Sequence, residues 1–388
     1  MTDNKQQIVT LGCDIPILMY DGSNKKVQNI VPGDKIMGTN SKPIIVKSIT
    51  TGQDEMYDVI PVRGIKYTVG QDHMLVLKAS NYEMVWWDKG RERYRIRWLE
   101  NLDIKEKSFS VTAFKTEKNA LQTAKHYLKE EIPYNTGYIK YGDVIKIKAK
   151  DYHNLTKRKQ AAFKGFSTGL DFEEKKADVD PYALGYWLGD GNTDTTGFTT
   201  EDKEILEYLK IFANNLGLQI TNSSYLHYDV TTGTSLGGAG RNPWRNFLKK
   251  YNLLGDKHIP NDFKFNSKEN RLKLLAGLID SDGYLDENIY DFCLKSEKLT
   301  DDIIFLARSL GFYVAGKQKV KKTCTNAPGG PKEGDYFRFC ICGEGLEEIP
   351  VLLSRKKAHE RMSAKDANVN GVKVVPIGKK TYHSIELE

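Results

Sequence analysis

The sequence predicts a multidomain protein, with an all-β domain built from both chain ends and an α+β domain between them. Three observations predict this arrangement. The chain of 388 residues can form two or three domains, each with its own core. Short apolar segments separated by Gly/Asp turns occur near both termini, and a helix–strand–helix pattern occurs twice in the middle. We expect boundaries at 1–176, 177–362 and 363–388.

The composition excludes several classes of protein. Hydrophobic residues make up 39% and charged residues 28% of the chain, which excludes disordered, collagen-like and membrane-embedded proteins. The N-terminus lacks the apolar core of a signal peptide. We therefore expect no membrane partner and an intracellular location, the nucleus if the host is eukaryotic.

The cysteines are odd in number and scattered, which favours reduced thiols over a disulfide framework. They are Cys13, Cys293, Cys324, Cys340 and Cys342. The last two alternate with apolar residues and predict a strand with both thiols on one face. A zinc site is the alternative, although no second Cys/His pair has metal-ligand spacing.

The net charge of +7 is concentrated in one segment. Residues 85–166 contain 19 Lys/Arg and 10 Asp/Glu, so the rest of the chain is slightly acidic. Four arginines recur at every second position among tryptophans, and on a strand they would share one face. Such a row is a plausible phosphate-contacting surface, and a solvated strand face is the alternative. The predicted DNA-contacting residues are Arg91, Arg93, Arg95, Arg97, Lys146, Lys148, Lys157 and Arg158.

The first elements are predicted as short strands that end at turn residues. These strands cover Ile15–Tyr20, a segment from Val31, Ile44–Ile49, Met56–Val62, Tyr67–Leu77 and Asp143–Lys150. Val369–Glu388 becomes β-like again at the far end of the chain. A compact all-β domain from both ends follows.

The middle of the chain contains the repeat. Asp180 before Pro181 is typical of a helix N-cap followed by proline, and the predicted helix stops at Asp190-Gly191. A second predicted helix, Glu269–Asp280, stops at Asp282-Gly283. Helices over Glu201–Leu216 and Leu299–Leu310, and a strand over Ile289–Leu294, complete the two copies. A two-fold repeat implies a pseudo-two-fold site in a monomer.

Residues 275–283 read Leu-Ala-Gly-Leu-Ile-Asp-Ser-Asp-Gly, and residues 183–191 are a looser copy. The pattern resembles the LAGLIDADG homing endonucleases of the single-chain, two-motif type. Gly185 and Gly277 lack a Cβ, so the two helices can approach closely and bring Asp190 and Asp282 together. One alternative is that both acids merely end their helices, since Asp-Gly is a common turn.

Two adjacent carboxylates repel each other, and divalent cations relieve the repulsion. A pair of Mg²⁺ ions on Asp190 and Asp282 suits phosphodiester hydrolysis in double-stranded DNA. The resemblance implies that the carbonyls of Gly189 and Ser281 complete the metal site. It also implies two catalytic lysines, Lys257 and Lys356, although Lys357 is an equally basic neighbour of Lys356. The alternative for each is an ordinary surface lysine.

Both β-rich ends resemble the Hint domain of inteins, the protein-splicing elements that host such endonucleases. Residues 15–23 resemble the first intein block, and Tyr67–Leu77 with His73 resembles the second. By spacing, the splicing nucleophile falls on Thr10, a poor nucleophile, and Cys13 lies three residues later. The last residues show no His-Asn pair. We therefore expect vestigial splicing residues at Thr10 and His73.

Three functions remain open at this stage. The first is a splicing-inactive, metal-dependent endonuclease that cuts double-stranded DNA at a long site, with base readout from polar strands such as 221–228 and 317–338. The second is an inactivated or truncated intein with a nested endonuclease. The third is a DNA-binding protein that does not cleave DNA. The presence of both acids argues against this third function.

Overall fold

The computed structural model describes residues 7–80, 84–134, 136–233, 240–324, 331–362 and 366–388. It divides into two compact units. The first, here the Hint unit, comprises residues up to Gly38, Lys42–Phe166 and Val369–Glu388. The second, the repeat unit, comprises Thr39–Ser41 and Ser167–Asn368.

The N-terminal part of the Hint unit is mostly β-structure. Its strands are β1 (Gln7–Gly12), β2 (Pro16–Leu18), β3 (Asn24–Lys26), β4 (Lys35–Met37), β5 (Pro43–Pro61), β6 (Tyr67–Gly70), β7 (Met74–Ala79), β8 (Met84–Asp88), β9 (Arg93–Glu100), β10 (Asp103–Ser110), β11 (Tyr138–Ile139), β12 (Val144–Lys148) and β13 (Phe163–Phe166). Its helices are α1 (Val111–Phe114), α2 (Glu117–His126), α3 (Ala149–Asn154) and α4 (Lys157–Gln160).

The repeat unit contains the longer helices. They are α5 (Pro181–Asp190), α6 (Lys203–Asn215), α7 (Pro243–Lys250), α8 (Asn261–Lys264), α9 (Lys268–Asp282) and α10 (Glu297–Ser309). Its strands are β14 (Phe198–Thr199), β15 (Gln219–Ser224), β16 (His227–Thr231), β17 (Tyr284–Asp286), β18 (Ile289–Leu294), β19 (Tyr313–Cys324) and β20 (Lys332–Cys342). The chain then returns to the Hint unit as β21 (Val369–Asn370) and β22 (Val372–Leu387).

Strand β22 joins the two ends of the chain. It pairs antiparallel with β1, where Ile385 faces Val9, and with β5, where Ile385 faces Ile49. The sheet order is β22-β1-β6-β5-β4, and a second sheet has the order β12-β7-β13-β21. Alternate residues point inward, so Val46, Val69 and Ile385 are buried in one core. The predicted Hint-like domain from both ends is confirmed.

Two strand predictions are wrong. Tyr67–Leu77 is not one strand but two, β6 and β7, which a turn at residues 71–73 separates. Ile44–Ile49 and Met56–Val62 are not separate strands but parts of the single strand β5. The polar residues between them continue the ladder, because Gly52 faces Tyr382 of β22. A Cβ at Gly52 would lie 2.8 Å from the Tyr382 hydroxyl oxygen, so glycine here permits a close cross-strand contact rather than a turn.

The basic insertion forms a small core of its own. Strands β8, β9 and β10 pair in order, and α2 lies against β9 and β10. Ile96, Trp98, Phe109, Ala124 and Ile132 are buried together there. The insertion therefore adds helices to a unit that the sequence predicts as all-β.

In the repeat unit, α5 and α9 pack side by side within one apolar core. Each is followed by strands and an outer helix: β14 and α6 in the first repeat, β18 and α10 in the second. The first repeat has the sheet β14-β16-β15 and the second has β17-β18-β20-β19. The predicted helices of both repeats are confirmed, with ends shifted by a few residues.

Candidate active site at the ends of two paired helices

The two motif helices approach each other through their glycines. A Cβ on Gly185 of α5 would lie 2.1 Å from the carbonyl oxygen of Leu274, and one on Gly277 of α9 would lie 2.1 Å from that of Tyr182. Any larger residue would push the helices apart. Asp180 caps α5 by accepting from the Ala183 N–H at 2.9 Å, and Pro181 takes the first helical position. The predicted close packing is confirmed.

Asp190 is the last residue of α5 and is partly buried. Burial and the negative charge of Asp282 raise the pKa of Asp190 to about 6, although Lys356 and Lys257 lower it. A carboxylate that resists ionisation in this way is stabilised by any cation that it can bind.

Asp282 is the last residue of α9. Its side chain reaches solvent, but the surrounding protein atoms exclude enough water to raise its pKa, and Lys257 and Lys356 oppose that rise. A Cβ on Gly189 would lie 3.0 Å from Asp282 Oδ2 and 2.0 Å from Ser281 Oγ. The ends of the two helices, and the two acids with them, are therefore close together.

Lys257 lies at the end of α5. Its Nζ donates to the carbonyl oxygens of Gly189 at 3.1 Å and Gly191 at 2.6 Å. It also lies 5.0 Å from the centre of the Trp187 ring. Burial lowers the pKa of Lys257 to about 8, while Asp282 and Asp190 counteract that effect. This places an ammonium group beside both acids.

Lys356 occupies the corresponding place at the end of α9. Its Nζ donates to the carbonyl oxygens of Ile279, Asp280 and Ser281 at 2.9, 2.8 and 3.2 Å. Burial lowers its pKa. The neighbouring Lys357 has an exposed side chain. Of the two lysines that the sequence left open, the structure brings Lys356 to the helix end.

Sequence reasoning missed Asp280 and Tyr182. Asp280 is almost fully buried, and its carboxylate accepts from the Tyr182 hydroxyl at 2.7 Å and from the Leu352 N–H at 2.6 Å. The signal was present, because the looser motif copy carries Leu188 where the second carries Asp280. An acid with no counterpart in the other repeat indicates a structural role for that acid.

The prediction that four arginines share one strand is wrong for Arg91. Arg91 lies in the 3₁₀ turn Lys89–Arg91, and the following Glu92 has a left-handed backbone with φ of 42°. The turn interrupts the two-residue period before β9 begins at Arg93. Arg93, Arg95 and Arg97 alone share the strand.

These arginines are paired within the chain. Glu106 forms ion pairs with Arg95, Arg97 and Arg158, and Arg93 pairs with Asp88 at 3.1 Å. The guanidinium groups of Arg95 and Arg97 lie about 5 Å from the Trp86 ring centre. Lys148 pairs with Asp72 at 2.8 Å, whereas Lys146 and Lys157 have exposed side chains. DNA contact by this segment stays a prediction.

The predicted vestigial splicing residues lie together. The Thr10 backbone lies close enough to the His73 ring to raise the pKa of His73, but burial outweighs this and lowers that pKa to about 4. The Thr10 hydroxyl lies 2.9 Å from that of Ser384. Cys13 lies apart from this pair, with its Sγ 3.6 Å from His383 Nε2.

Cys340 and Cys342 lie on the face of β20 opposite to the buried Phe339 and Ile341, as predicted. The side chain of Cys324 lies outside the described residues, as do residues 325–330 of the predicted readout segment 317–338.

Within the described ranges, no three His, Cys, Asp or Glu side chains form a metal-binding group. No helix in those ranges is long and apolar enough to cross a membrane.

Two protein-family descriptions match the chain. Residues 13–168 match the homing-endonuclease-associated Hint family, and residues 258–329, which include the second motif, match the homing endonuclease family.

Curated relatives match about half of the chain. The replicative DNA helicase DnaB of Mycobacterium intracellulare is 31% identical over 196 residues, which are 50% of this chain and 28% of that protein. The catalytic polypeptide of the V-type proton ATPase of Candida tropicalis is 24% identical, over 52% of this chain and 21% of that protein. The homothallic switching endonuclease of Saccharomyces cerevisiae is 25% identical, over 46% of this chain and 37% of that protein. The chain therefore spans well under half the length of these relatives.

Among solved structures, I-DmoI in complex with DNA and Ca aligns with 42% of this chain and 82% of its own, at 12% identity and a TM-score of 0.27. The Hint match lies almost entirely in the Hint unit, and the homing endonuclease match lies in the repeat unit. The chain contains a Hint domain of the kind associated with homing endonucleases, followed by a homing endonuclease domain.

Proposed function

We propose that this chain is a site-specific endonuclease that hydrolyses both strands of double-stranded DNA. One observation carries the proposal: the repeat unit brings two acids together at the ends of paired helices, with one lysine at each helix end. The homing endonuclease match and the homothallic switching endonuclease among its relatives support it.

The residues fit divalent cations. Asp190 and Asp282 would supply carboxylate oxygens, the hard ligands that Mg²⁺ prefers. The carbonyls of Gly189 and Ser281 would add to them, because each accepts from a lysine but keeps a second lone pair. Burial raises the pKa of both acids, and a bound cation would favour their ionised form. Two Mg²⁺ ions held there would polarise the phosphodiester and lower the pKa of an attacking water.

The two lysines would act on the DNA phosphates. Each ammonium group is held by backbone carbonyls at its helix end and so stays directed towards the acids. A fixed positive charge stabilises the negative charge that develops on a phosphate during hydrolysis. One lysine at each helix end would supply one ammonium group for each DNA strand.

The deciding experiment is cleavage of a randomised or genomic DNA library with Mg²⁺ by the wild-type chain, Asp190→Asn and Asp282→Asn. Discrete double-strand cuts by the wild type, and none by either variant, are expected. Binding without cuts by all three proteins would favour the non-cleaving function, and no binding at low salt would contradict a DNA substrate.

The adjacency of Thr10 and His73 in the Hint unit makes protein splicing the alternative function to test. We propose that the chain is splicing-inactive, because a threonine hydroxyl is a weak nucleophile without a base to activate it. A histidine whose pKa is about 4 is neutral at pH 7 and cannot protonate the departing amine efficiently. Mass spectrometry of the chain fused between two flanking proteins tests this, and a ligated product would contradict it.

A further inference from the structure

The loops that carry the two lysines are held by contacts that cross between the repeats. We name them the Lys257 loop (Gly255–Pro260), which follows the first repeat, and the Lys356 loop (Leu352–Lys357), which follows the second. In each loop, residues immediately around the lysine bond to side chains of the opposite repeat.

The Lys257 loop is held by α10 of the second repeat. Asp302 of α10 accepts from the Ile259 N–H at 2.8 Å and pairs with Lys264. Asp302 is buried, with 8% of its surface exposed. On the other side of Lys257, Asp256 accepts from Lys298 of α10 at 2.6 Å.

The Lys356 loop is held by the start of α6 in the first repeat. Asp202 accepts from both terminal nitrogens of Arg355, at 2.6 and 2.8 Å. Two parallel bonds fix the orientation of the guanidinium group, and Arg355 directly precedes Lys356. Asp202 occupies the N-cap position of α6, but its side chain makes no capping bond, so this pair is its main contact.

We propose that Asp302 and Asp202 are positioning residues, each of which fixes the lysine of the half-site on the opposite repeat. Neither residue touches the two acids, yet each controls where one ammonium group lies. Because the contacts are reciprocal, neither repeat can complete its own half-site alone. Unequal cleavage of the two DNA strands would follow only from the proposed function, whereas the positions of the lysines do not depend on that function.

The Lys257 side can be tested with two variants that differ only in one acceptor. Asp302→Ala with Lys264→Met removes the carboxylate without leaving a buried ammonium group unpaired. Asp302→Asn with Lys264→Met keeps an oxygen that can accept from the Ile259 N–H. On the Lys356 side, Asp202→Ala and Arg355→Met each remove the bidentate pair.

The first readout is the rate at which an N-hydroxysuccinimide ester acylates each lysine, followed by mass spectrometry without DNA. The Asp302→Ala double variant should accelerate acylation of Lys257 severalfold and leave Lys356 unchanged. Asp202→Ala and Arg355→Met should do the reverse, and the Asp302→Asn double variant should match the wild type. Acylation rates that change together at both lysines, or at neither, would overturn the proposal.

The second readout is strand-resolved cleavage of a duplex labelled on both strands. A displaced lysine should slow one strand roughly 10-fold or more relative to the other, and the two sets of variants should slow opposite strands. Equal slowing of both strands would overturn the half-site assignment. A wild-type protein that cuts no DNA would contradict the proposed function instead, and the acylation pattern alone would then decide the positioning role.

Discussion

The Tyr182 hydroxyl donates to Asp280 Oδ2 over 2.7 Å and links the first motif helix to the second. The carboxylate also accepts from the Leu352 N–H at 2.6 Å, at the start of the Lys356 loop. One buried acid therefore connects both paired helices to the loop that carries Lys356.

Replacing Tyr182 with Phe should lower the free energy of unfolding by about 1–3 kcal/mol, because a buried charged acceptor loses a donor. Urea denaturation measures this loss. Tyr290→Phe is the matched control, since the buried Tyr290 hydroxyl donates to the neutral carbonyl of Lys356 at 2.7 Å. Equal losses in the two variants would contradict a special role for the Tyr182–Asp280 bond.

Gly277→Ala should destabilise the repeat unit by about 3 kcal/mol or more. The added Cβ would lie 2.1 Å from the Tyr182 carbonyl oxygen, and overpacking of this kind outweighs the better helix propensity of alanine. Gly90→Ala is the control, because there the nearest atom is 3.9 Å away. Thermal unfolding of both variants decides, and a stable Gly277→Ala protein would contradict the tight helix contact.

Lys356→Met should reduce DNA cleavage about 100-fold, and Lys357→Met should leave it close to wild type. The reason is geometric: Lys356 Nζ bonds the last carbonyls of α9, whereas the Lys357 side chain is exposed. Single-turnover cleavage rates at saturating protein separate this effect from DNA affinity. A larger loss in Lys357→Met would exchange the two roles.

Added Mg²⁺ should raise the melting temperature of the wild type, and this rise should be lost in Asp190→Asn and Asp282→Asn. A ligand at 100 times its Kd stabilises a folded protein by about 2.7 kcal/mol. Differential scanning fluorimetry with and without Mg²⁺ measures the shift. Ca²⁺ serves as a second probe of the same oxygen ligands. A shift that persists in both variants would indicate a cation site elsewhere.

The stability of the Hint unit should depend on pH through His73. Burial lowers its folded pKa to about 4, below its usual 6.5, so the unfolded chain binds more protons between these values. Stability should therefore be complete above about pH 6.5 and fall as the pH decreases towards 4, by on the order of 2–3 kcal/mol. Denaturant unfolding across this range measures the slope. His73→Gln should flatten it, and an unchanged slope would assign the titration to another group.

The helices and the two acids of the repeat unit were predictable from the sequence because each depends on local signals. Asp180 and Pro181 indicate the start of α5, and a motif that ends in Asp-Gly indicates where each acid lies. The choice of Lys356 over Lys357 was not predictable, since it depends on which side chain a 3₁₀ turn directs towards α9. Local sequence does not encode that distant packing.

Two features of the insertion were not predictable from its arginine spacing and charge. The spacing predicted one strand with all four arginines, but the left-handed residue Glu92 separates Arg91 from β9. Glu106 then neutralises arginines from two separate segments, Arg97 and Arg158. Net charge counted along the chain could not reveal this pairing, because ion pairs form in three dimensions.

The pairing of β13 with β21 determines how easily the repeat unit could be inserted or removed during evolution. Phe166 faces Val369 across the ladder, so the chain leaves the Hint unit and re-enters it at hydrogen-bonded neighbours. The 202 residues from Ser167 to Asn368 thus form an insertion whose two ends adjoin the paired strands β13 and β21. Its acquisition or loss would require only a short hairpin at that point, so the repeat unit could be exchanged without changing the sheets of the Hint unit.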